Sequence, residues 1–324
     1  MKTKLTFFSL IFLLTSASSS FSFWGFYAHK KINRLAVFTL PPDIIGFYKN
    51  HISYIEENAV NPDKRRYAVA NEAARHYIDL DVYGENALEE VPHRWDSAVA
   101  KYSEDTLQAY GIVPWYIFSM KNFLTKAFEE KDLGKILRLS ADIGHYIADA
   151  NVPLHTTENY NGQLSGQYGI HGFWESRLPE LYADDFDFFV GKAEYIDHVS
   201  LYAWEAVAQS HRAVDSVLKI EKELSQSFNT SKKYSFEERG QSTVRVYSKK
   251  YSRNYHALLD NMVERQMRKS IKMVGDVWFT AWVDAGQPDL TELSKTSLSE
   301  FQKEQLKEEK IKWENRTVIS REHN

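Results

Sequence analysis

The chain has 324 residues, no cysteine and a formal net charge of −4. Without thiols there is no disulfide stapling, no lipid-anchoring cysteine and no thiolate ligand, so the fold must rest on its core or on metals held by other side chains. The mild acidity argues against a basic surface for duplex nucleic acid or an anionic membrane.

Residues 1–23, MKTKLTFFSLIFLLTSASSSFSF, have the order of an export signal: Lys2 and Lys4, an apolar run from Leu5 to Leu14, then small residues from Ala17 to Ser22. The apolar run is short for a membrane span, which predicts a secreted or periplasmic protein with no stable transmembrane anchor. The competing reading is an uncleaved N-terminal anchor. Removing these residues leaves 38 basic against 44 acidic side chains, a net charge of −6. Any anion must then be held by local positive charge, which metal ions can supply.

Apolar residues at helical spacing predict helices over roughly 29–38, 43–57, 64–79, 104–130 and 133–149. Two longer stripes run from Ile196 to Leu218 and from Leu258 to Trp282. Alternating strand-like runs are nearly absent; VRVYSKKYS at 244–252 comes closest and reads equally well as part of a helix. The tail at 289–324, rich in Lys and Glu, reads as a solvated helix or a loosely ordered end. No linker rich in Pro, Gly or Ser divides residues 24–288, and no repeat is visible. The expected fold class is all-α, a single multi-helix domain.

Within this pattern the stretch HYIADANVPLH at 145–155 places His145 and Asp149 one helical turn apart. Pro153 then ends or kinks the helix and sends His155 off in another direction. His171 and Glu175 in GIHGFWES repeat the one-turn spacing, with Gly169 and Gly172 permitting a sharp entry. Upstream, Asp63 follows a proline near a helix start, His76 lies near the end of that helix, and His29 stands five residues after Trp24. Each has a plain reading taken alone: Asp63 as a helix cap, His29 as an exposed neighbour of Lys30 and Lys31, a lone HxxxD as helix surface. The recurrence of the pattern favours convergence. Imidazoles mixed with carboxylates suit zinc in hydrolytic sites, and eight side chains leave coordination positions open for water.

Four elements in this order, WGFYAH at 24–29, Asp63 followed by HYID at 76–79, HYIADANVPLH, and HGFWE at 171–175, resemble the trinuclear zinc phosphoesterases. That family includes bacterial zinc-dependent phospholipase C and the single-strand-specific nucleases of fungi and plants. The resemblance runs from Trp24 to Glu175 by motif and more faintly through the C-terminal helices. It implies an all-α phospholipase C/nuclease-like fold with a zinc cluster in a cleft. By the same resemblance Asp63, His76, His145 and Asp149 hold one zinc, and His155, His171 and Glu175 a second. A third lies between Asp149, His29 and the amino and carbonyl groups of an N-terminal Trp24. The implied reaction is hydrolysis of phosphodiester bonds by in-line attack of zinc-activated hydroxide, with Asp63 orienting or deprotonating the water.

The third zinc requires the mature chain to begin at Trp24. The small residues of SFS at 20–22 instead suit a cut that leaves Phe23 first, in which case two ions are expected. Glu175 as the last acid and the absence of cysteine match the phospholipases; His29 close behind Trp24 matches the nucleases, whose extra His is Asn151 here. Tyr160 and Tyr168, between the ligands, would stack a base, contact a lipid glycerol or simply pack the loop. Glu72, Asp79 and Asp142 read either as partners of the ligand histidines or as exposed helix acids. The favoured expectation is a secreted phospholipase C. The alternatives are a nuclease for single-stranded RNA or DNA and, less favoured, a non-catalytic zinc-stabilised binding module.

Overall fold

The computed structural model describes residues 26–66, 68–239, 242–300, 303–304, 307–308 and 311. The expected export signal and Trp24 lie outside the described residues. From Phe26 the chain forms α1 (Phe26–Ala36), α2 (Pro42–Asn50), α3 (Ile52–Asn58) and α4 (Asn61–Arg65). After two 3-10 turns come α5 (Ala87–Glu90), α6 (Trp95–Tyr102), α7 (Glu104–Tyr110), α8 (Val113–Glu129) and α9 (Leu133–Ala150). Then follow α10 (Ile170–Gly172), α11 (Leu178–Tyr182) and α12 (Val199–Ser227). A hairpin of β1 (Tyr234–Arg239) and β2 (Ser242–Tyr247) leads into α13 (Lys249–Leu258), α14 (Met262–Asp284) and α15 (Thr291–Ser294). The described chain is thus mainly helical, with one small two-stranded sheet. Among the described residues no helix is long and apolar enough to cross a membrane.

Local chemistry sets many of the helix starts. Prolines stand in the first turn of α2, α4, α8 and α11, where a fixed φ suits the helix and a missing N–H is not needed. Asp132 caps α9 by accepting from the Lys135 amide at 3.1 Å, and Ser248 caps α13 through the Tyr251 amide at 3.3 Å.

Several runs expected to be continuous are broken where the backbone turns left-handed. The 104–130 run divides at Gly111, whose φ is +93° and where a Cβ would lie 2.1 Å from the Tyr77 carbonyl oxygen. The Leu258–Trp282 stripe divides at Asp260 and Asn261, with φ of +48° and +56°. The 43–57 run breaks at His51, and the first helix ends at Ala36 before a 3-10 turn. The 64–79 helix does not exist as such. It ends at Arg65, Asn71 has φ of +63°, and only a 3-10 turn at Ala73–His76 follows. In the hairpin, Val244 and Val246 belong to β2 and pair with Glu237 and Ser235, while the second half of VRVYSKKYS starts α13. The partner strand β1 had no alternating signal strong enough to read. The tail is docked at its start: Leu290 is buried, and Asn50 Nδ2 donates to the Ser294 carbonyl at 3.1 Å.

Helix α9 lies at the centre, against α1, α3, α8, α12 and α14. From Ser140 to Ala150 every residue is buried, so this half of α9 has no solvent face. Trp278 Nε1 donates to the Ser140 carbonyl at 3.1 Å, and Tyr48 stacks on the Trp278 ring at 4.7 Å. Truncating a fully buried side chain such as Ile143 or Ile147 to Ala costs about 2–5 kcal/mol. Gly144 lets α1 close on α9. A Cβ there would fall 1.9 Å from Asn33 Oδ1, and Asn33 Nδ2 donates to the Ala141 carbonyl at 3.0 Å. That close approach brings His29 of α1 onto His145 of α9, their rings stacked at 4.0 Å.

Candidate metal centre

The eight His and acid residues singled out within the described chain come together. His29 projects from α1, Asp63 from α4, His76 from the end of its 3-10 turn, and His145 and Asp149 from α9. His155 stands in another 3-10 turn, Pro153–Thr156, where Pro153 redirects the chain just past α9. His171 belongs to α10 and Glu175 to the π-helical turn Phe173–Arg177 that continues it. All eight are buried, Asp63 being the most exposed at 8 %.

The α9 turn delivers the expected pair: His145 Nε2 is 3.3 Å from Asp149 Oδ2. His76 Nδ1 lies 2.9 Å from the same oxygen and 3.1 Å from His145 Nε2. Asp63 Oδ1 is 3.5 Å from His145 Nε2 and 3.7 Å from His76 Nδ1. In the second cluster His155 Nε2 is 3.0 Å from His171 Nε2 and 3.2 Å from Glu175 Oε2. His29 Nε2 joins the two, 3.5 Å from Asp149 Oδ1 and 3.3 Å from Glu175 Oε1. Among the described residues three groups have ligand atoms within 4.8 Å of one another and could hold a metal ion: His29, His145 and Asp149; Asp63, His76 and His145; His155, His171 and Glu175.

The hydrogen bonds behind the rings fit that role. His145 Nδ1 faces the Ala59 carbonyl at 2.9 Å and His155 Nδ1 the His76 carbonyl at 2.6 Å, so each ring donates there and turns the Nε2 lone pair inward. Asp149 Oδ1 is buried and accepts no hydrogen bond among the described residues, an expensive arrangement for a carboxylate unless a cation meets it. The donor set therefore fits a metal ion.

Charge is distributed unevenly across the centre. Burial opposes protonation of His145, but Asp149 and Asp63 outweigh it and lift its pKa well above the ordinary value. Burial pushes His76 down to about 3, although its contact with Asp149 pulls the other way. Burial would raise Asp149 and Glu175, yet the neighbouring histidines hold both carboxyls well below the usual range.

The surrounding residues correct other expectations. Glu72, Asp79 and Asp142 are buried rather than exposed helix acids. Glu72 accepts from Tyr146, Arg65 and Arg75, and Arg65 also reaches Asp142. Tyr160 packs edge-on to the His171 ring at 6.0 Å, whereas Tyr168 is 69 % exposed. Sequence reasoning missed Arg66, a buried guanidinium 3.8 Å from Asp63 Oδ1. In DKRRYAV nothing distinguishes it from Lys64 and Arg65 beside it. Tyr146 was also missed, although it lies inside the HYIAD motif.

The fold and its centre thus define a mainly helical protein with a buried His/Asp/Glu cluster able to hold metal. No family model matches the chain, and no curated protein is significantly similar to it.

Proposed function

We propose that this chain is an exported zinc-dependent phosphodiester hydrolase of the phospholipase C type, with a phospholipase C/nuclease-like fold. The observation that supports this most is the linkage of the groups. Asp149 faces His145 and His76 with one oxygen and His29 with the other, so one carboxylate reaches across two of them. Imidazole and carboxylate without thiolate suit zinc, and eight ligands leave positions open, as a hydrolytic site needs and a structural site does not. Three ions are expected with the Trp24 amine and two without it. Bound zinc supplies Lewis acidity and brings the pKa of water towards neutrality.

The protein's own groups account for the rest. Asp63, the ligand nearest solvent, takes the proton of the attacking water as the new bond to phosphorus forms and the ester oxygen leaves on the opposite side. Arg66, beside Asp63, offsets negative charge gathering on the phosphoryl oxygens. Tyr160, against His171, borders the substrate.

A second reading, a nuclease for single-stranded RNA or DNA, is favoured by one observation: half-buried Tyr160 beside His171 offers a face on which a base could stack. The deciding experiment assays the zinc-loaded protein in parallel on phosphatidylcholine, bis-nitrophenyl phosphate and single-stranded RNA. Cleavage of the first two alone supports the phospholipase, and cleavage of RNA supports the nuclease. No turnover of any substrate with zinc bound leaves the non-catalytic binding module.

A further inference from the structure

Behind His76, on the side away from the other ligands, lies a buried charge network that the proposed hydrolysis does not use. Glu72 has no exposed surface, and both its oxygens are engaged. Oε1 accepts from the Tyr146 hydroxyl and from Arg65 Nε at 3.3 Å, and Oε2 accepts from Arg75 Nη1. Arg65 donates further to Asp142 Oδ1 at 3.2 Å and to the Tyr146 hydroxyl at 3.1 Å. A lone carboxylate would not stay charged in such a place; two guanidinium groups keep this one ionised. Glu72 Oε1 lies 4.0 Å from His76 Nε2, and the Tyr146 ring stands edge-on to His76 at 5.3 Å.

His76 is turned the opposite way from its neighbours. His145 and His155 anchor Nδ1–H on main-chain carbonyls and present Nε2, whereas His76 presents Nδ1 and keeps Nε2 buried without a hydrogen bond. A neutral imidazole carries one proton, and the nitrogen that holds it cannot be a ligand. We propose that Glu72 is a positioning residue for metal binding: its fixed negative charge keeps the His76 proton on Nε2 and so frees the Nδ1 lone pair for the group shared with Asp63 and His145. The 4.0 Å separation exceeds a hydrogen bond, so the influence is one of charge in a dry surrounding. Among the described residues no main-chain carbonyl is bonded to His76 Nε2 to do the same work. The inference rests on the metal-binding reading of the centre and not on any substrate.

The test uses the full mature chain loaded with zinc. Nitrogen-15 spectra of the histidine rings should show His76 protonated at Nε2 and coordinated through Nδ1; coordination through Nε2 overturns the proposal without any variant. Glu72→Gln should weaken one zinc by about 10–100-fold in chelator competition. The ion held by His155, His171 and Glu175 should stay as tight as before, which a general loss of structure would not allow. Unchanged affinity at every site overturns the proposal, as does failure of the wild-type chain to bind zinc. Zinc bound through His76 Nδ1 and weakened by Glu72→Gln, in a protein that cleaves no phosphodiester, upholds the role of Glu72 and removes the hydrolase reading, so the two fail separately.

Discussion

The main-chain carbonyl of His76 accepts a hydrogen bond from Nδ1 of His155 at 2.6 Å. The contact is reciprocated, since the Ile78 amide donates to the His155 carbonyl at 2.9 Å. Residue 76 therefore serves two groups at once, offering its ring to Asp63 and His145 while its backbone fixes the ring of His155. The two halves of the centre are thus tied through the main chain of residue 76 and not through its ring.

Metal content comes first among the expected outcomes. The purified mature protein should carry about two to three zinc ions per chain, as the ligand number requires. Stripping them with a chelator should lower the melting temperature and abolish phosphodiester hydrolysis, and restored zinc should return both. Elemental analysis that finds no metal would sink the assignment.

Replacing ligands should remove metal in proportion to how widely each is shared. Asp149→Ala removes two oxygens, one facing His145 and His76 and the other facing His29, whereas His171→Ala removes one nitrogen, so the first should retain less zinc. His145→Ala should abolish turnover in a chain that stays folded by circular dichroism. Equal metal loss in the Asp149 and His171 variants would contradict the shared role of Asp149.

The crossing of α1 and α9 depends on a missing side chain. Gly144→Ala puts a methyl group into the Asn33 amide and should destabilise the protein by about 1–3 kcal/mol in denaturant unfolding. Because His29 stacks on His145 across that crossing, the variant should also bind zinc more weakly. A variant as stable as the parent would show that Asn33 can move aside.

Acid should release the metal. Asp149 and Asp63 overcome burial to raise His145, and Asp149 with Glu175 does the same for His155, so both rings take up protons above their ordinary value of 6.5. A proton on either ring must leave before zinc binds, so affinity falls as pH falls, by up to about tenfold per pH unit for each proton displaced. Zinc titrations at pH 8 and pH 6 measure the slope, and a flat response would refute the assignment of these rings as ligands.

Some of the centre is legible in the sequence. Helical periodicity alone sets His145 and Asp149 on one turn, and a proline after α9 is enough to redirect His155. His171 and Glu175 meet at 2.7 Å even though their segment is a π-helical turn, since four residues span about one turn in either case. By contrast, His76 reaches Asp63 by a chain reversal through left-handed Asn71, where the sequence pattern suggested a continuous helix. The burial of Arg66 and Glu72 was equally hidden, since a charged side chain has the same local signature whether water or protein surrounds it.

By itself, then, the sequence determined the helical character, the absence of thiol chemistry and the short-range ligand pairs, because residue spacing within a turn needs nothing beyond the backbone. Only the tertiary structure decided which pairs share a centre. It stacks His29 on His145 through the gap at Gly144, ties His155 to the His76 carbonyl and places Glu72 behind the His76 ring. Those relations join residues far apart along the chain. They follow from how apolar helix faces close around α9, which local spacing does not encode.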